Sequence, residues 1–539
     1  MARSGRPAYA ASITTDELLV APATAAPTTR AETDDIEFVP RAPRRRPPVE
    51  VVGLVGVVLA FVGLATIFAF QQPPFWETDE KSHLGYAHAV ASFQLPEVET
   101  LADVPSTATQ WAAEMVSSPD RRYRGVWVAN HPPLNYVVAA PSIWYSNLTD
   151  RADGGLLFLR LQNVAFAAAG IVFTYLFATE LTRLRRIGLA AAALAALTPQ
   201  AIIMFSRGMN DGLGFAAATG LLWSATRLFR RGDSKRDLVL LSAMAVAATG
   251  ARTATMLLSV AVVGLLGLTR LFSGGSLGDR LRRTVRIGLV GLGPAALAFG
   301  WYYLRNMTLY GDIGGSDFVL RYFRRADVGS IVDIAKRGEV WGFLYRRTLS
   351  TAPMEWTYPR FGTAVAIVLA AGFITLLLVR RTGDRDDEGR RVHLGLALVP
   401  GLVSVLLIAL TVAQHISGGG NWYPRYFLPV LGVLATFAVL AADRVVPRVL
   451  PVVVIAVLAI WTLSKVPVDK SPIAMLRPRD QGPPPTALRS LPGGDLARNV
   501  SGGMLVAGVL IAAGCLLAGV IGPTRRPRDE TEEASAETG

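Results

Sequence analysis

The stretch VVGLVGVVLAFVGLATIFAFQQPPFWETDEKSH, residues 51–83, decides how the chain is read. Residues 51–70 carry no charge and are long enough to cross a bilayer core of about 30 Å as a helix. The run breaks at Gln71–Pro74, and Glu77, Asp79, Glu80, Lys81 and His83 follow at once, with His88 close behind. Three explanations compete for these polar residues: a solvated membrane flank, a charge-lined ion path, or an active site at the bilayer surface.

The rest of the chain repeats the first half of this pattern. Of 539 residues, 51% are apolar or aromatic and only 18% are charged, against roughly a quarter charged in an average soluble protein. Apolar runs recur, so the chain is expected to be an all-α polytopic membrane protein. The net charge of +13 does not imply nucleic-acid binding, because the arginines cluster beside apolar runs, as in cytoplasmic loops. The single cysteine, Cys515, lies in the last apolar run, which excludes a disulfide framework and a cysteine metal site.

The arginine clusters also thread the chain. Residues 1–49 end in a basic stop and read as a disordered cytoplasmic tail. Residues 522–539 read as a second one. Spans are expected at about 50–70, 156–179, 186–206, 212–229, 237–251, 253–272, 285–304, 361–379, 393–413, 426–442, 446–464 and 503–521. This makes about twelve (11–13) transmembrane helices with both termini inside. The segment HPPLNYVVAAPSIWYSNL (131–148) is short in apolar residues and holds three prolines. Reading it as an interfacial or re-entrant segment keeps every later arginine cluster inside. The main membrane domain is then 50–464, with long outer loops at 71–155 and 305–360. A Pro-rich outer loop (465–502) and the last span (503–521) follow. Residues 331–350 are amphipathic and are expected along the outer surface.

This threading gathers the unusual polar residues on one side. Asp79, Glu80, His83 and His131 belong to the first outer loop. Asn210 and Asp211 follow the span 186–206, Arg252 sits at a turn between spans, Arg305 and Asn306 follow 285–304, and Arg425 opens 426–442. Ionisable groups at membrane depth cost at least roughly 2.5–3.5 kcal/mol in contact with lipid, so they persist where they pair or line a cavity. A carboxylate pair facing arginines matches a general base beside a phosphate clamp. At the bilayer surface the phosphate is expected to be lipid-linked. A polyprenyl-phosphate sugar attacked by an acceptor hydroxyl fits these facts.

The ordered words TDEKSH, HPPLNY, FLRLQNVAFAAAGIVFTYLFATEL, TPQAIIMFSRGMND, WYYLRNMTLYGD and YPRYFLP resemble the GT-C superfamily of membrane glycosyltransferases over most of residues 50–445. That group includes protein O-mannosyltransferases and the lipid A aminoarabinose transferase. The resemblance implies a first outer loop of helices lying along the membrane and carrying the catalytic Asp. It implies Asp79 as the general base and Glu80 as its neighbour that orients the acceptor or Asp79. His131 would orient the loop and Asp211 would contact the sugar. His83, Asn210, Arg252, Arg305, Asn306 and Arg425 complete the expected substrate-binding set, with Arg305 and Arg425 as phosphate ligands. The expected partners are a polyprenyl-phosphate sugar donor, an extracytoplasmic envelope acceptor and the lipid bilayer. The expected location is the cell membrane, with the active site on the extracytoplasmic face.

Plainer explanations stand beside these. Asp79 and Glu80 favour a helix N-terminus, and the helix that follows has Leu84, Ala87, Val90 and Ala91 on one face, as a surface helix would. Glu77 reads as solvated flank. His83 and His131 are zinc ligands in principle, but His83 and His88 lack the i, i+4 spacing, and no metal ligand is assigned. A divalent cation between Asp79 and a lipid phosphate stays open. A transporter or flippase would need charges near the bilayer midplane, and a non-catalytic envelope-assembly scaffold could use the same fold.

Overall fold

The computed structural model describes residues 49–72, 75, 78–102, 120–148, 152–349, 393–445 and 494–521, all within one unit, Pro47–Gly539. The tails, the loop 465–493 and the expected spans 361–379 and 446–464 lie outside the described residues, as does Glu77. Among the described residues every regular element is a helix, and the one β-bridge joins Leu101 to Gly125.

The opening apolar run forms α1 (Val49–Gln71), and the charged stretch starts α2 (Thr78–Ala91). Two 3-10 turns, Arg121–Arg124 and Trp127–Asn130, precede α3 (Leu134–Leu148). The helices α4 (Ala152–Thr182), α5 (Arg185–Leu197), α6 (Pro199–Phe205), α7 (Asp211–Arg231), α8 (Lys235–Ala251), α9 (Thr253–Leu271) and α10 (Leu277–Tyr310) follow. Next come α11 (Ser316–Tyr322), α12 (Ile331–Lys336), α13 (Gly338–Leu349) and α14 (His393–Ser417). A 3-10 stretch at Pro424–Val430 then leads into α15 (Leu431–Val445), and α16 (Gly494–Ile521) ends the described chain.

Among the described residues, six helical stretches are long and apolar enough to cross a membrane: Val49–Phe70, Gly155–Thr182, Thr253–Leu271, Leu277–Tyr310, Leu398–Ser417 and Pro424–Asp443. The pair α5 and α6 would be a seventh, but it bends by 65° where a single straight span was expected over 186–206. The cause is local. Pro199 has no N–H to continue the ladder, and its ring pushes Thr198 into an extended conformation.

Small residues let the helices touch. On α1, Gly56 and Gly63 face Gly508, Leu505 and Ala512 of α16. A Cβ on Gly508 would lie 2.3 Å from Ala60 N and 2.5 Å from Gly56 O, so the two backbones meet directly. The segment 131–148 yields the 15-residue α3, with Pro141 inside. At 1.5 Å per residue it extends roughly 22 Å, short of a bilayer core of about 30 Å. It buries Tyr136, Ala139 and Ile143 and exposes Val137, Tyr145 and Leu148. The amphipathic stretch 331–350 becomes α12 and α13, which bury Ile334, Val340 and Leu344 against α14 and the 3-10 stretch.

One local expectation is corrected. The helix after Asp79 is not a surface helix, because residues 80–88 are buried on all sides. A cluster of Phe70, Leu84, Tyr86, Trp127, Tyr136 and Leu159 closes around it. Its polar side chains must therefore find partners inside the protein.

Candidate functional site

Glu80 and Arg160 anchor this region. Both side chains are 0% exposed. Arg160 donates Nε to Glu80 Oε1 and Nη2 to Oε2, each at 2.7 Å. Its Nη1 also donates to the carbonyls of Ala69 at 2.7 Å and Gln72 at 2.9 Å, satisfying the end of α1. Glu80 further accepts the N–H groups of Phe75 (3.0 Å) and Gly208 (2.8 Å). Burial raises its pKa, but Arg160, the Gly208 N–H and Arg207 together hold it below the usual carboxylate range.

One turn along α4, Asn163 continues this scaffold. Its Nδ2 donates to Met204 O and Arg207 O, and its Oδ1 accepts Gly212 N at 2.7 Å. Gln72 joins Ser206 and Arg207 to the same network. The turn 206–211 is thus held by α4 and by the end of α1. Glu80 faces no solvent and uses both oxygens in this scaffold, so its expected role of orienting an acceptor gives way to positioning. Sequence reasoning missed Arg160 and Asn163, although a charge inside the apolar run FLRLQNVAF is itself a signal.

Asp79 is different. It sits in the first turn of α2, and its side chain is 20% exposed. Trp127 Nε1 donates to its Oδ1 at 3.0 Å. Arg425, from 346 positions later, donates Nη2 to its Oδ2. Tyr423 and Tyr426 flank the Arg425 guanidinium, with ring centroids 5.2 and 5.7 Å from its Cζ. Burial raises the pKa of Asp79, but the Arg425 charge and hydrogen bond, with His83 and Trp127, bring it down to about 2. The resting carboxylate is ionised and weakly basic.

A second ion pair stands nearby. Asp211, 1% exposed at the start of α7, accepts from Arg252 Nη1. Arg252 occupies the extended break between α8 and α9. His83 is close enough to feel Asp79, Asp211, Arg425 and Arg252. Burial pushes its pKa down to about 4, with the two aspartates acting against that fall. Its Nδ1 lies 2.7 Å from Tyr136 Oη. Burial, with Arg252 and His83 close by, also holds His131 well below its ordinary value. Nδ1 of His131 is enclosed with no hydrogen-bond partner among the described residues, and its carbonyl accepts from Tyr86 Oη at 3.0 Å. Asp79, His83, His131, Asp211, Arg252 and Arg425 therefore form one neighbourhood.

The other expected residues serve the frame. Asn210 donates to Ala251 O at 3.2 Å. Asn306 donates to Asn130 O and Ile313 O. Arg305 donates to Pro96 O at 2.9 Å and lies over the ring of Tyr302, whose hydroxyl meets that of Tyr86. Among the described residues no group of three His, Cys, Asp or Glu side chains is placed to hold a metal ion.

No protein-family model matches the chain, and neither does any curated protein. Among solved structures it is similar to ArnT from Cupriavidus metallidurans bound to undecaprenyl phosphate. The identity is 16%, over 87% of this chain and 72% of that one, with a TM-score of 0.45. It is likewise similar to ArnT from the same organism in the apo state, with 16% identity over 85% of this chain and 74% of that one, at a TM-score of 0.42.

Proposed function

We propose that the chain is a membrane glycosyltransferase. It would move a sugar from a polyprenyl-phosphate donor to a hydroxyl of an extracytoplasmic envelope acceptor. The observation that carries this reading is the Asp79–Arg425 pair: a partly exposed carboxylate and a phosphate-binding side chain drawn together from distant parts of the chain, with Asp211–Arg252 alongside.

The pairing also supplies the sequence of events. While Arg425 holds Asp79, the carboxylate is too weak a base to help an attacking hydroxyl. A donor phosphate competes for the guanidinium, which binds phosphate through two parallel N–H donors. Once Arg425 turns to the phosphate, burial acts on Asp79 with less opposition and its basicity rises. Asp79 then takes the proton of the acceptor hydroxyl, and the oxygen attacks the anomeric carbon from the face opposite the phosphate. The anomeric carbon–oxygen bond to phosphate breaks, and polyprenyl phosphate leaves with its charge on Arg425, with Arg252 close by. Configuration at the anomeric carbon inverts. Donors aimed at such a charge are worth about 3–4 kcal/mol each. Arg305 is engaged by Pro96 O and the Tyr302 ring, and no step of this sequence is assigned to it.

Asp79→Asn keeps the shape and removes the base. Release of polyprenyl phosphate from a labelled polyprenyl-phosphate sugar by the purified protein should fall by about a hundredfold or more. Wild-type turnover in Asp79→Asn would defeat the base assignment. Movement of the labelled lipid across proteoliposomes without bond cleavage would make the chain a transporter instead.

A further inference from the structure

Trp127, which donates to Asp79, has a second set of neighbours. Its ring lies 6.3 Å from Tyr123 and 5.7 Å from Phe323, with Tyr123 and Phe323 5.2 Å apart. Trp127 is 6% exposed, whereas Tyr123 is 36% exposed and Phe323 is half-buried. The aromatic cluster therefore runs from the carboxylate to the surface. It is built where two segments meet, DRRYR (120–124) and RYFRR (321–325).

These segments bring six arginines against Asp120 and the nearby Glu99. Asp120 is already engaged. It caps the 3-10 turn through Arg122 N at 3.0 Å and holds the Arg122 guanidinium, with Nε at 2.9 Å from each oxygen. Arg121, Arg321, Arg324 and Arg325 are exposed. Arg324 is close enough to act on Asp120, and Arg325 on His415. His415 bonds Tyr426, which flanks Arg425. The basic ridge is thus linked to the Asp79–Arg425 pair through His415 and Tyr426 as well as through Trp127. On the outward side that the arginine threading expects for these loops, arginine runs against the bias that sets membrane topology, so that bias does not account for it.

We infer that this aromatic and arginine surface is the acceptor platform, and that the acceptor is an anionic glycan carrying carboxylate or phosphate groups. The inference rests on the transfer reading above for the word acceptor, and on the surface alone for the ligand chemistry. Sugar rings stack on Tyr123 and Phe323, the acidic groups meet the arginines, and the chain of rings leads a hydroxyl to Asp79. Planar guanidiniums match both carboxylate and phosphate.

The test uses the full chain purified in nanodiscs and three polymer probes: polygalacturonate, poly(glycerol phosphate) and neutral dextran. At least one anionic polymer should bind tenfold or more tightly than dextran. Whichever anionic polymer binds identifies the acidic group. Tyr123→Ala and the double variant Arg321→Ser, Arg325→Ser should each weaken that binding fivefold or more, with thermal unfolding unchanged. Asp79→Asn should bind as wild type does. Equal binding of dextran, or variants that bind the anionic polymer unchanged, would overturn the platform. So would variants that lose phosphatidylglycerol vesicles while keeping the polymer, because the ridge would then be a lipid contact. An inactive chain that still binds the anionic polymer defeats only the transfer reading. An active chain that binds no anionic polymer defeats only the platform.

Discussion

Asp79 and Glu80 are neighbours in sequence and opposites in environment. Glu80 is sealed with Arg160, and removing one partner of such a pair leaves a buried charge uncompensated. Glu80→Gln is therefore expected to cost about 3–5 kcal/mol, seen as a large fall in the thermal unfolding temperature. His83 gives a pH signature. Unfolded, it takes up its proton below its ordinary 6.5; folded, only below about 4. Over that window the unfolded state binds more protons, so stability is full above pH 6.5 and falls as the pH drops toward about 4. Asp79 adds a loss in the same direction lower down, between its ordinary 3.8 and about 2. His131, also held well below its ordinary value, adds to the same limb, so His83→Gln should make the unfolding-temperature profile shallower between pH 6.5 and 4 and leave the lower limb. The residue types of the candidate site were legible as polar words at the ends of apolar runs. Their roles were not, because burial and partner choice separate Asp79 from Glu80, and adjacent positions carry no trace of that.

Element boundaries were largely legible because apolar runs and prolines act locally. The edges of α1, α4, α7 and α9 follow the runs, and Pro199 explains the bend between α5 and α6. The burial of α2 was not legible, since its cover comes from the Trp127 turn, α3 and α4. Close packing of α1 on α16 makes a sharp prediction at this scale. Gly508→Leu should drive the two backbones apart and lower the unfolding temperature strongly. Gly514→Leu, where a Cβ meets nothing within 4 Å, should be tolerated. Since Leu is a better helix former than Gly, equal effects of the two substitutions would mean that backbone contact does not set the cost.

Across the whole molecule, the arginine threading predicts which loops face outward. With Cys515→Ala as background, a cysteine at the exposed Glu99 should react with a membrane-impermeant maleimide on intact cells. One at the exposed Arg282 should react only after permeabilisation. The reverse pattern would invert the topology and remove the extracytoplasmic setting of the proposed reaction. By itself the sequence determined that the chain is helical and membrane-embedded, and roughly where its helices start and stop. Chain hydrophobicity, charge bias and proline chemistry act over a few residues and can be read in order. Only the tertiary structure decided that Arg425 meets Asp79, that Arg160 takes Glu80, and that Arg305 reaches the Pro96 carbonyl. An ion pair is chosen by which groups the packed helices bring within a few ångströms, and partners 346 positions apart leave no local pattern to read.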